Sequence, residues 1–170
     1  MIIKHFRRYY FLFWLSLVVF SCNPKKLTIE NTQHNINKEI NFKYLTKNKN
    51  YVSAHRGGSG IKGYPENCIE SFDYLYNNGI QIFEIDIAET KDRQLILMHD
   101  NSLQRTSTGK QDVNQLKLNN VKKYYLVDDF GNKTSFKIPT FDETLKWGQN
   151  KSIYFMVDIK KGVDYNDIVS

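Results

Sequence analysis

Ile80 to Ala88 reads IQIFEIDIA, and Gln94 to His99 reads QLILMH. In the first run, Glu84 and Asp86 interrupt an otherwise apolar strand. They stand two apart, hence on one face. The connection between the runs is a few residues long, whereas a parallel crossover needs a dozen or more. The pair is therefore expected to be an antiparallel hairpin around Thr90-Lys91-Asp92-Arg93. A two-residue loop at Lys91–Asp92 would put His99 opposite Glu84 on the same face.

Upstream, Tyr51 to Ala54 reads as a short strand running into His55-Arg56-Gly57-Gly58. Asn67 is a suitable N-cap, and Glu70 would complete a capping box for a helix over 68–78. Downstream, residues 101–138 read as irregular, with a short helix around Leu118–Tyr125 and a turn at Asp129–Asn132. Thr140 and Glu143 form a second capping box, opening a helix to about Trp147. Ile153 to Lys160 (IYFMVDIK) is a third main strand, with Asp158 and Lys160 on one face, and a short helix follows Asp164. Strands alternating with helices give an α/β fold with parallel main strands.

The polar residues gather at the ends of the main strands: His55 and Arg56, then Glu84 and Asp86, then Asp158 and Lys160. Chemistry on the C-terminal rim of successive strands is how a (β/α)₈ barrel works. Such a barrel takes about 250 residues, against 116 from His55 to Ser170. The expectation is the N-terminal portion of a (β/α)₈ TIM-type barrel, incomplete in this chain. Its open strand edges would favour aggregation, and alone it would turn over little.

The net charge of +6 is unevenly spread. Residues 1–21 carry +3 and residues 22–50 carry +4, leaving 51–170 at −1. A nucleic-acid binder carries its excess on the folded face, so no nucleic-acid partner is expected. Met1 to Arg8 is basic, and Tyr9 to Phe20 is apolar except for Ser16. That run is too short for a span of about 20 residues and fits a secretory signal. Val19-Phe20-Ser21-Cys22 resembles the lipobox of bacterial lipoproteins, which implies diacylation of Cys22 and cleavage before it. The expected organisation is a lipoprotein signal peptide (1–21), a tether (22–50) and the truncated N-terminal part of the barrel domain (51–170). The protein would then be lipid-anchored in the bacterial cell envelope, on the periplasmic side or cell surface, with no protein partner predicted.

Glu84, Asp86 and Asp158 put three carboxylates at one rim. All-oxygen ligation suits a hard cation, Mg²⁺ or Ca²⁺. His55 and His99 have the intrinsic pKa for proton transfer near neutrality. Arg56 can hold a phosphate bidentately, and Lys160 supplies a point charge; both can also pair with the carboxylates. Glu66 reads as support for the rim, Arg105 as a loop anchor and Cys68 as a small buried residue. Ser53 and Ser71 lack a partnered base, so a serine nucleophile is not expected.

In order and spacing these residues resemble the glycerophosphodiester phosphodiesterase family of phospholipase-C-like barrels. The matching stretches are His55-Arg56-Gly57-Gly58, Pro65-Glu66-Asn67, Glu84-Ile85-Asp86, Thr90-Lys91-Asp92, His99-Asp100, Leu103-Gln104-Arg105-Thr106, Gly109, Ile138-Pro139-Thr140 and Asp158-Ile159-Lys160. The resemblance implies metal-dependent hydrolysis of a glycerophosphodiester substrate to an alcohol and glycerol phosphate. It implies His55 and His99 as acid and base, Arg56 and Lys160 on the substrate, and Glu84, Asp86 and Asp158 as metal ligands. Asp158 stands where the family usually has Glu, one methylene longer. The rivals are a non-catalytic envelope lipoprotein that keeps the rim as a ligand-binding site, or a truncated, inactive relative, and a related phospholipase-type enzyme acting on intact lipid, which would need an apolar lip such as Tyr124–Val127.

The Ser21-Cys22 junction makes one expectation directly measurable. Metabolic labelling with palmitate should mark the native protein and be lost in Cys22→Ser, with altered processing of the precursor. Unchanged labelling in the variant would overturn the lipid anchor.

Overall fold

The computed structural model describes Leu45 and residues 50–169. The signal segment, Cys22 and nearly all of the tether, with any helix near Ile36–Tyr44, lie outside the described residues. Among the described residues no helix is long and apolar enough to cross a membrane.

The first strand, β1 (Ser53–Ala54), is followed by a 3₁₀ turn at His55–Gly57 and by helix α1 (Ile69–Asn77). Next come β2 (Ile82–Glu89) and β3 (Leu95–Leu97). After a 3₁₀ turn at Val113–Gln115 come α2 (Leu118–Val121), β4 (Tyr125–Val127) and β5 (Lys133–Lys137). The chain then forms α3 (Phe141–Gly148), β6 (Tyr154–Ile159) and α4 (Asn166–Val169). β2 pairs in parallel with β1 and with β6, and antiparallel with β3. This is the expected α/β fold with parallel main strands.

Three details differ from the sequence expectation. First, the β2–β3 hairpin pairs Ile87 with Leu97, where a two-residue loop would have set Asp86 opposite Leu97. The loop has three residues, Lys91 to Arg93. Thr90 N–H donates to Gln94 O at 3.0 Å, and Arg93 takes a left-handed φ of 60°. That is the three-residue hairpin form, and it carries His99 past the end of β3. Second, Asn67 is not an N-cap. It sits at φ 52° and spends its side chain on Asp86, so Cys68 takes the cap position without a side-chain hydrogen bond. Third, residues 101–138 are less irregular than expected. The helix at Leu118 stops at Val121, and the Asp129–Asn132 turn closes an antiparallel hairpin, β4–β5. The capping box at Thr140 and Glu143 forms as expected.

Two apolar clusters follow from the alternation in β2. Phe83 and Ile85 face outward with Leu97 against Phe72 of α1, packed by Trp147 of α3 and Phe155 of β6. The Phe72 ring lies 5.5 Å from Phe83 and 5.6 Å from Trp147, centroid to centroid. The second cluster joins Ile96 and Met98 to Leu103, Val113, Val121, Leu126 and Ile138, so the 101–138 segment has its own core. Leu126 is buried there rather than forming an apolar lip.

Gly57 is required by both its backbone and its neighbour. Its φ is +60°, and a Cβ there would stand 1.8 Å from Cε1 of Phe72. Gly57→Ala should therefore combine left-handed strain with overpacking, at a cost of about 2 kcal/mol or more. Thermal denaturation of the purified protein should show a Tm lower by several degrees. An unchanged Tm would mean that Phe72 can move aside freely.

Candidate active site

The polar side chains sit where the parallel strands end. Glu84 and Asp86 project from one face of β2, and the parallel register sets Asp158 of β6 beside Asp86. One carboxylate oxygen from each of the three lies within 4.8 Å of the others. Asp86 is 1% exposed, a burial that a carboxylate tolerates only with partners. Asn67 Nδ2 donates to its Oδ2 at 2.8 Å, and Asn67 Oδ1 accepts its backbone N–H at 3.0 Å. The Lys160 ammonium lies 2.6 Å from Asp86 Oδ1 and 2.6 Å from Asp158 Oδ2.

Lys160 has its pKa raised: burial, which alone would lower it, is outweighed by hydrogen bonds to Asp158 and Asp86. The Lys160 bond in turn holds the Asp158 carboxyl below its ordinary value. A positive charge is thus drawn to the point where the oxygens converge. A hard divalent cation fits this donor set, which is all oxygen and already compensates a cation.

A second group adjoins the first through Arg56, whose backbone N–H donates to Glu84 Oε2 at 2.7 Å. Arg56 adopts φ 49°, the left-handed conformation. Its Nη1 meets Glu66 Oε2 at 3.2 Å, and its Nη2 lies 2.9 Å from His99 Nε2. His99 Nδ1 lies 2.6 Å from Asp100 Oδ1. Arg105 binds Asp100 through Nε and Nη2, and Glu66 through Nη1 and Nη2. Hydrogen bonding by Arg105, outweighing desolvation and helped by His99, brings Asp100 to a pKa of about 2. His55 sits exposed on the 3₁₀ turn beside Arg56. Among the described residues its ring joins neither group by a hydrogen bond.

The glycine turn after Arg56 is held from the β4–β5 hairpin. Asp129 Oδ2 accepts from Ser59 Oγ and Gly60 N–H, and Asp128 Oδ2 accepts from Gly63 N–H at 2.7 Å. Asp128 also accepts from Phe130 N–H, Asn132 N–H and Asn132 Nδ2. Burial of Asp128 would raise its pKa, but these bonds outweigh it and bring it to about 2. Cys68 is fully buried, and burial first, then Glu70, pushes its thiol up to about 12. It packs as an inert residue.

Sequence reasoning missed the support that Asn67 gives Asp86 and the Asp128–Asp129 clamp on the glycine turn. Asn67 carried a signal, since Pro65-Glu66-Asn67 belongs to the recognised pattern, but it was absorbed by the capping assignment. Asp128 and Asp129 carried only a turn signal.

By fold, the chain is an α/β protein with a parallel sheet, consistent with part of a barrel that carries its polar groups on one rim. It belongs to the glycerophosphoryl diester phosphodiesterase family, whose model matches residues 55–167. A glycerophosphodiester phosphodiesterase of Caldanaerobacter subterraneus subsp. tengcongensis is 34% identical over 116 residues, covering 68% of this chain and 47% of that protein. A crystal structure of a glycerophosphoryl diester phosphodiesterase from Parabacteroides distasonis superposes with TM-score 0.67 at 37% identity. It covers 74% of this chain and 43% of that one. An Oleispira antarctica phosphodiesterase, solved with the product sn-glycerol-3-phosphate, shares the fold with TM-score 0.57 at 24% identity, covering 65% of this chain and 44% of that one. The chain spans under half the length of each of these proteins.

The depressed carboxyls define an acid limit. Asp100 and Asp128 protonate near the ordinary value of about 3.9 when unfolded but near about 2 when folded. They stabilise the fold above about pH 4, and that contribution is lost as pH falls from about 4 through about 2. The Tm should drop across this window, and Asp128→Asn should have a lower Tm at neutral pH with a shallower acid fall. An identical acid slope in the variant would show that Asp128 is not one of the groups responsible.

Proposed function

We propose that this protein hydrolyses glycerophosphodiesters to an alcohol and glycerol phosphate in a metal-dependent reaction. One observation carries the reading. Three convergent carboxylates on the parallel strands β2 and β6 are linked through the Arg56 amide to Glu84, and the Arg56 guanidinium reaches His99, which follows the antiparallel β3. Family membership, and the product bound by the Oleispira antarctica relative, support a glycerol phosphate-type ligand.

In this reading Glu84, Asp86 and Asp158 hold Mg²⁺ or Ca²⁺. Such an ion, when bound, supplies Lewis-acid stabilisation of the charge on the phosphate oxygens. Arg56 and Lys160 bind the phosphate, the first through a planar fork and the second as a point charge. His55 and His99 divide the proton transfers. One accepts the proton of the glycerol hydroxyl next to the phosphate, and the other protonates the departing alcohol. The cyclic phosphate is then opened by water with the roles reversed. Asn67 keeps Asp86 aimed at the cluster, and the clamped glycine turn keeps Arg56 beside Glu84. The proposal includes a lipid anchor at Cys22 in the bacterial envelope, on the strength of the Val19–Cys22 motif.

Phosphate-ester release from glycerophosphocholine and glycerophosphoethanolamine by the completed barrel tests the reading, since this stretch alone is expected to turn over little. Turnover should require a divalent cation and stop in EDTA. Glu84→Ala and Asp86→Ala should abolish it, while Asp158→Glu should retain it. His55→Ala and His99→Ala should each lower kcat by about 10²–10⁴-fold. A substrate with a better leaving group should rescue only one of the two histidine variants. Full turnover in EDTA would remove the metal, and no turnover on either substrate with metal present would overturn the activity.

A further inference from the structure

Five side chains close into a ring: Arg56 to His99, His99 to Asp100, Asp100 to Arg105, Arg105 to Glu66, and Glu66 back to Arg56. The members come from three separate stretches: the 3₁₀ turn after β1, the segment before α1 and the segment after β3. Their donor and acceptor capacities dictate the protons. An arginine only donates, so the 2.9 Å contact from Arg56 Nη2 makes His99 Nε2 an acceptor. Asp100, held ionised by Arg105, only accepts, so His99 Nδ1 carries the proton at 2.6 Å. With His99 neutral, two guanidiniums balance two carboxylates around the ring.

Arg105 is the member whose shape the ring needs. Its Nε and Nη2 reach Asp100 at 2.7 and 3.0 Å, and its Nη1 and Nη2 reach Glu66 at 3.0 and 2.7 Å. Only a planar fork presents two edges to two carboxylates at once. Glu66 is 3% exposed, and it shares its oxygens between Arg105 and Arg56.

We propose that Arg105 is a positioning residue. Through Asp100 it fixes His99 in the Nδ1–H tautomer, with Nε2 as the accepting nitrogen, and through Glu66 it directs the Arg56 guanidinium at that same nitrogen. The competing role is a loop anchor for residues 100–106, which would affect stability alone. The part of the proposal that concerns turnover rests on the phosphodiesterase reading; the tautomer does not.

The test has a spectroscopic arm and a kinetic arm, on native protein, Arg105→Lys and Arg105→Gln. Long-range ¹H–¹⁵N spectra, recorded where the ring is neutral, should show His99 protonated at Nδ1 in the native protein. In Arg105→Gln the Nε2–H form, favoured by free histidine, should grow in. Arg105→Lys keeps the charge and the stem but not the fork. It should fold, show the same drift of tautomer, and lose about 10–100-fold in kcat, the usual effect of removing a supporting partner, with KM changed less. Asp100→Asn should give the same loss, and the double variant with Arg105→Lys little more than either alone. A native His99 carrying its proton on Nε2 overturns the proposal. So does an Arg105→Lys protein with native tautomer and kcat and only a lowered Tm. If the native protein shows the Nδ1–H tautomer and the variants lose it, yet the native protein hydrolyses neither glycerophosphodiester, the positioning stands and the substrate reading falls.

Discussion

Burying the Asp86 carboxylate is the constraint on which this structure turns. At 1% exposure the charge has to be compensated by fixed groups. Asn67 bonds both the side chain and the backbone of Asp86, and does so from a left-handed conformation that removes it from the helix start. Lys160 bridges Asp86 to Asp158. One strand position therefore dictates the path of the segment before α1 and the side-chain direction at the end of β6.

A neighbouring constraint is the conformation of Arg56. Its left-handed φ points its amide at Glu84 while its guanidinium turns to Glu66 and His99. Gly57 lets this happen because the Phe72 ring fills the space where a side chain would stand. The aromatic cluster of α1, α3, β2 and β6 thus supports the rim directly. The β4–β5 hairpin closes the arrangement from outside, with Asp128 and Asp129 bonding the glycine turn. Two adjacent polar groups result, one built on oxygen atoms and a cation, the other on alternating guanidiniums and carboxylates. The hydrogen bond from the Arg56 amide to Glu84 links them.

The parallel α/β class, the second capping box and the residues of the rim were legible in the sequence. Period-two runs with Glu84, Asp86 and Asp158 in fixed phase leave little freedom once the strands are parallel. Strand pairing then places Asp158 beside Asp86 without further information. Less was legible wherever a polar side chain had two possible partners. Asn67 had the local signature of a cap, yet the buried charge of Asp86, 19 residues away, competes more strongly than an exposed helix end. The hairpin register failed by one residue because Arg93 accepts a left-handed conformation, which adds a residue to the loop. The β4–β5 hairpin went unseen because its strands are short, and Leu126 is buried in a cluster that draws in residues of β2 and β3.

By itself, then, the sequence determined the order of strands and helices, the family and the list of groups at the rim, because periodicity and motif spacing are local properties. Only the tertiary structure decided how those groups are connected. Arg56, Glu66, His99, Asp100 and Arg105 form a closed ring, and Lys160 stands between two carboxylates rather than apart from them. The physical reason is that charge compensation depends on distance in space, and the pairs that satisfy it here bridge separate strands and loops.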